Sequence, residues 1–159
     1  MQPIVATEGW ALGVIEYCLA VVWRGQPTPE AFRQRNEELV ALCKAHPGKC
    51  ALIEIVEPSS KPPSDETRRV AMEVFKVVGS SLSCVGFVLE GAELRSTVAR
   101  AILTGMMFFV RQLQPTRVFK SSDAMTEWVA QRVAPEERDF APVLAHGLEQ
   151  LRSSIKPPQ

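Results

Sequence analysis

The chain has 159 residues, of which 46% are hydrophobic and 23% are charged. These values are typical of a globular domain with one hydrophobic core, and they argue against a disordered chain or a multidomain protein. Eighteen basic residues balance eighteen acidic residues. The chain therefore lacks the positive field that attracts nucleic acids or anionic lipids.

Targeting and membrane signals are not found in the sequence. Residues 1–4 lack the basic and apolar regions of a secretory signal. The most apolar stretches, residues 10–23 and 102–110, are shorter than the ~20 residues that cross a bilayer. Cysteines occur without C-x-x-C pairing or the density of a disulfide scaffold, at Cys18, Cys43, Cys50 and Cys84. We expect a cytoplasmic protein with free thiols and no membrane insertion.

The first third of the chain predicts two strands and a helix. Residues 10–16 and 18–23 are rich in β-branched and aromatic side chains, which indicates antiparallel strands that meet near Tyr17. Thr28 can cap a helix that continues to about residue 45. The inner face of that helix is expected to carry Phe32, Asn36, Leu39 and Cys43.

The middle of the chain alternates strands with helices. Residues 51–56 are almost continuously apolar around Glu54, as in a strand that is covered on both faces. A helix over residues 65–78 and a strand over residues 84–89 follow. The inward side of that helix is expected to carry Val70, Val74, Val77 and Val78.

A long helix is predicted from about Glu93 to residue 114, where Pro115 ends it. A short strand over residues 117–120 and a helix through Trp128 to about Val133 come next.

The last helix begins near Asp139 and contains Gly147, which weakens the helical pattern. Residues 155–159 are expected to fray.

This order of elements predicts an α/β fold with a mixed, mostly parallel sheet, because strands that alternate with helices are joined by right-handed crossovers. Only the first strand is expected to be antiparallel. The chain then divides into an α/β domain over residues 1–133, an extra C-terminal helix over residues 134–154 and a tail over residues 155–159. The extra helix is expected to pack on the domain or on a partner.

Three segments carry a family resemblance: the apolar strand with Glu54, the small-residue strand at 84–89, and residues 118–129. With the element order, they make residues 10–133 resemble the STAS family, the domains of sulfate transporters and anti-sigma-factor antagonists. Antagonists of this family carry a phosphorylated serine at the start of the second helix, in an Asp-Ser-Ser/Thr-Gly motif that this chain lacks. The resemblance therefore implies the fold and suggests regulatory phosphosite candidates, Ser59, Ser60 and Ser64.

The carboxyl ends of the parallel strands are where such a sheet is expected to bind ligands. Four polar segments follow those ends, over residues 24–28, 57–66, 90–93 and 120–123. The candidate partner or ligand rim consists of Thr28, Asp65, Glu90, Lys120 and Ser121. The alternative interpretation is that any α/β domain has polar loops where its helices begin, with Thr28, Ser64 and Ser122 as ordinary helix caps.

The long helix is apolar over about half of its circumference, from Leu94 to Leu113. One sheet face does not easily cover so wide a surface. Either the final helix packs over it, or it forms a subunit or partner interface, and a homodimer is one such arrangement. The interface candidates are Met106, Met107 and Phe108.

No motif in the sequence indicates catalysis, a metal or a cofactor. There is no G-x-G-x-x-G run and no Walker lysine. Cys43, His46 and Cys50 supply three soft donors where structural zinc uses four. Cys84 lies in an apolar strand and His146 is alone on the last helix.

The sequence thus favours a non-catalytic protein-interaction or signalling module, similar to the anti-sigma-factor antagonists among bacterial regulators, with a protein partner and no nucleic acid. A small-ligand-binding protein that uses the rim is the alternative. An enzyme with a dispersed site is the third class.

Overall fold

A six-stranded mixed sheet organises residues 2–91 and 97–157, the part of the chain that the computed structural model describes. The strands are β1 Val5–Ala6, β2 Trp10–Ile15, β3 Cys18–Trp23, β4 Ala51–Val56, β5 Cys84–Leu89 and β6 Thr116–Phe119. The helices are α1 Pro29–Ala45, α2 Asp65–Val78, α3 Thr97–Leu113, α4 Ser122–Val133 and α5 Phe140–Ser153. A short 3₁₀ turn, Gly79–Ser81, follows α2.

The strands lie in the sheet in chain order, β1 to β6. β1 and β3 are each antiparallel to β2, and β3 to β6 are parallel. The predicted α/β fold with a mostly parallel sheet is confirmed, and so is the antiparallel pair that meets near Tyr17. β1 was not predicted, because a strand of two residues is too short to show a periodic pattern.

The helices divide between the two faces of the sheet. Right-handed crossovers between strands added in one direction bring their connecting helices to the same face. Accordingly α1, α2 and α3 share one buried cluster with Leu52 and Val85, and this side is called the α1–α3 face. The opposite face is covered by the chain after β6, because α4 and α5 pack there against Ala20, Ile53 and Val88.

The prediction that the final helix covers the long helix is wrong. α5 packs against α4 and β2 on the opposite face of the sheet. Gly147 lies inside α5 for a packing reason, since a Cβ there would be 2.8 Å from Ile15 Cδ1. The tail does not fray at its start, because Ile155 is buried and Lys156 N–H donates to Thr7 O at 2.9 Å.

Of the predicted caps, Thr28 and Ser64 are confirmed, whereas Ser122 is the first residue of α4 and Asp139 precedes α5 without a capping hydrogen bond. The hydroxyls of Thr28 and Ser64 accept from Ala31 N and Thr67 N, each at 3.2 Å. The prediction that Val77 faces inward is wrong, because its side chain is 69% exposed.

The predicted start of the long helix near Glu93, with Leu94 on its apolar face, lies outside the described residues. In the described ranges, no helix is both long enough and apolar enough to cross a membrane.

Candidate functional site

A cavity of about 160 Å³ opens at the carboxyl ends of β3, β4 and β5, on the α1–α3 face. It lies between the sheet, α1, α3 and the loop that precedes α2. Most of its described lining is apolar, including Trp23, Phe32, Val56, Phe87, Leu103 and Met106. The cavity is therefore at the edge where an open parallel sheet is expected to bind ligands.

Glu54 brings a buried carboxylate to this lining. Successive side chains of a strand point to opposite faces, so Ile53 and Ile55 join the α4–α5 side while Glu54 points to the α1–α3 face. Trp23 Nε1 donates to Glu54 Oε2 at 3.2 Å. Arg35 Nη1 forms an ion pair with Glu54 Oε1 at 3.1 Å.

Arg35 extends from α1 into the core and is 1% exposed. Its Nη2 donates to Ala71 O at 2.9 Å, and its guanidinium carbon lies 4.7 Å from the centroid of the Phe32 ring. Its Nε makes no hydrogen bond, and Nη1 contacts Glu54 as an ion pair without hydrogen-bond geometry. Burial lowers the pKa of Arg35, and the charge of Glu54 opposes that change.

A second ionic network lies at the outer edge of the cavity. Arg24 binds Glu57 through two hydrogen bonds, of 2.6 and 3.1 Å. Arg152, at the end of α5, binds Glu90 through two hydrogen bonds of 2.7 Å and also contacts Glu57 Oε1 at 3.3 Å. These hydrogen bonds raise the pKa of both arginines. The network joins α5, on the far face, to the carboxyl ends of β4 and β5.

The predicted rim residues follow the carboxyl ends of the parallel strands, but they do not form one site. Glu90 lines the cavity. Thr28 caps α1, and Asp65 forms an ion pair with Arg68 in the first turn of α2. Lys120 and Ser121 are exposed after β6, where Ser121 precedes α4 without a capping hydrogen bond. Of the five, Glu90 is the one that the structure places at the cavity.

Each of the three phosphosite candidates makes a side-chain hydrogen bond. Ser59 Oγ donates to Arg24 O at 2.8 Å, and Ser60 Oγ donates to Gly25 O at 3.1 Å. Ser64 caps α2 as described above. Ser60 also lines the cavity. Phosphorylation of these residues stays a prediction.

The interface candidates on α3 point in different directions. Met106 and Met107 are half-buried and line the cavity, whereas Phe108 is 67% exposed. A shallow surface groove runs between α2 and α3, and Met72 and Phe109 are among its lining residues. Phe108 is thus the candidate that is open to a partner.

The cysteines and histidines lie away from the cavity. Cys43 and Cys50 are buried with their sulfurs 3.0 Å apart, and His46 packs its ring edge against Tyr17. In the described parts of the chain, no group of three or more metal-ligating side chains could hold a metal ion. The absence of disulfides stays a prediction.

Comparison of the chain with family models, with curated proteins and with solved structures finds no match. The STAS resemblance therefore stays a prediction.

Two of the three arginines that pair with the lining carboxylates, Arg35 and Arg152, were not predicted. Arg35 lies one position before Asn36, which was placed on the inner face of α1. Glu54 lies within an apolar strand, and a carboxylate buried there needs a cation beside it. Those two signals together could have found Arg35. Arg152 gave no local signal, because a basic residue in the last turn of a helix is common.

Proposed function

We propose that this domain binds a small, mostly apolar molecule in the cavity at the carboxyl ends of β3, β4 and β5. The observation that carries the proposal is an apolar space of about 160 Å³ with buried polar groups held in place at its wall. Ligand sites in proteins typically combine an apolar lining with a few fixed polar groups.

The cavity volume sets the size of the ligand. An engineered apolar cavity of about 150 Å³ in another protein binds benzene, so a single ring with a short substituent suits this space. Trp23 and Phe32 pack with ring centroids 4.6 Å apart, which gives one wall an aromatic surface.

The chemistry of the described lining supports binding rather than catalysis. None of the described lining residues is a cysteine or a histidine. The Ser60 hydroxyl donates to a backbone carbonyl, and the buried carboxylate of Glu54 is paired with Arg35. These residues are held by structural contacts, so no nucleophile with an adjacent base is available among them.

Binding can be tested with benzyl alcohol, a neutral single-ring probe. Saturation-transfer NMR should detect its contact with the wild-type protein. Val56→Phe should abolish the signal, because Val56 lines the cavity and a phenyl ring would fill the space. The matched control is Val77→Phe on the exposed side of α2. Absence of transfer in the wild type, or equal transfer in both variants, would refute the proposal.

A second candidate function is the interaction or signalling role that the sequence favours. The observation in its support is the exposure of large apolar side chains on α2 and α3, with Val77 69% and Phe108 67% exposed. Sedimentation of the wild type and of Phe108→Ser would reveal self-association through this surface. A pull-down with the same two proteins would detect a different partner, and identical behaviour of both proteins in both assays would count against this role.

A further inference from the structure

The polar side chains of the cavity lining are mainly acceptors of hydrogen bonds. Among the described lining residues, carboxylates belong to Glu54, Glu57 and Glu90. Ser60 already donates its hydroxyl hydrogen to Gly25 O, so its oxygen is left as an acceptor. The lining cation in this set is Lys61, which is exposed.

The arginines that balance these carboxylates are not lining residues. Arg35 meets Glu54 from the core side, while Arg24 and Arg152 hold the two outer carboxylates. A carboxylate has about four lone-pair sites, so these contacts leave acceptor capacity unused. A molecule in the cavity therefore meets the residues that carry the carboxylates and none of their three arginines, which favours a positive charge on that molecule.

Resting on the proposed function, we infer that the cavity selects a small apolar molecule that carries a protonated amine. An ammonium group supplies three donors and no acceptor, which matches the described lining. A carboxylate on the ligand would instead be repelled by three carboxylates of the lining, and Lys61 is the lining cation in the described residues that would attract it.

A matched series of probes tests this inference. Benzylamine, benzyl alcohol and sodium benzoate share one ring and differ at pH 7 in the charge of a short substituent. Titration of the wild-type protein at low salt should show benzylamine binding about tenfold more tightly than the alcohol, as one charge-assisted hydrogen bond allows. Benzoate should bind more weakly than the alcohol.

The outcomes separate this inference from the function on which it rests. Binding of the alcohol with no preference for the amine, or tighter binding of benzoate, overturns the amine selectivity and leaves the proposed function standing. If none of the three probes binds, the proposed function fails as well.

A charge variant adds a second readout. Glu90→Gln removes one lining charge and leaves Arg152 within 3.3 Å of Glu57 Oε1. The ratio of amine affinity to alcohol affinity should fall several-fold in this variant, because one of the lining carboxylates is lost. The control is Glu73→Gln, an exposed acid in the groove between α2 and α3, where the ratio should match the wild type. An unchanged ratio in Glu90→Gln would contradict the role of the lining carboxylates.

Discussion

Replacing Arg35 by methionine removes a buried charge and keeps most of the aliphatic stem. The guanidinium of the wild type is 1% exposed, pairs with Glu54 at 3.1 Å and donates to Ala71 O at 2.9 Å. The variant leaves the carboxylate of Glu54 in the core with Trp23 Nε1 as its described hydrogen-bond donor. It also leaves Ala71 O without that donor.

The size of the effect follows from these contacts. Removal of one partner of a buried ion pair typically costs about 3–5 kcal/mol, because the other charge remains buried without compensation. Each kcal/mol lowers the melting temperature of a domain of this size by about 2–4 °C, so the expected drop is roughly 6–20 °C. Replacing both Arg35 and Glu54 by methionine should recover part of the loss, since no unpaired charge is left.

Urea unfolding followed by far-UV circular dichroism measures the free energy of unfolding of each variant. The control is Arg33→Met, two positions earlier on α1, whose ion pair with Glu30 is exposed and 3.4 Å long. That variant should change stability by no more than about 0.5 kcal/mol. The reasoning is refuted if Arg35→Met costs as little as the control, or if the double variant loses the sum of the two single losses.

Three further predictions concern packing and thiols. Gly147→Ala should lower the free energy of unfolding by about 1–3 kcal/mol, because the new Cβ would lie 2.8 Å from Ile15. Gly105→Ala should raise it by about 0.5–1 kcal/mol, because nothing lies within 4 Å of the new Cβ and alanine favours the helix. Equal effects in urea unfolding would contradict this. Deleting the chain from Ala134 onward should uncover the sheet face under α5. The newly exposed apolar surface should destabilise the fold by about 25 cal/mol per Å², which lowers the urea midpoint or causes aggregation. An equally stable, soluble monomer would show that α5 covers nothing important. Thiol titration should find all four cysteines free in urea and unreactive in the native protein at pH 8, because all four are buried. Burial raises the pKa of Cys18 and raises that of Cys84 to about 12, and although the hydrogen bond with Cys43 lowers the pKa of Cys50, the Cys50 side chain is 0% exposed. A count below four in urea would reveal a disulfide.

Much of the fold could be predicted from short segments. The caps at Thr28 and Ser64, the end of α3 before Pro115 and the apolar run of β4 all depend on residues within a few positions of one another. Such local rules also placed Glu54 in a central strand, which the pairing of β4 with β3 and β5 confirms. The sequence also pointed to the edge of the sheet at which the cavity lies, because the carboxyl ends of parallel strands meet there.

The composition of the site could not be predicted in the same way. Arg152 and Glu57 are 95 positions apart in the chain, and Arg152 and Glu90 are 62 apart. Their contact requires α5 to cross the far face of the sheet and end at its carboxyl edge. No pattern within α5 specifies which face it covers, since its apolar side would pack equally on α3 or on the sheet.

The sequence by itself therefore determined the helices and the strands other than β1, and it pointed to the edge of the sheet at which the cavity lies. Local hydrogen bonding and the alternation of buried side chains operate over a few residues and can be read directly. The tertiary structure alone decided that α5 lies opposite α3, that Arg35 neutralises Glu54, and that two arginines hold the outer carboxylates. These contacts join residues far apart in the chain, and they are set by strand order and by the face on which each connection runs.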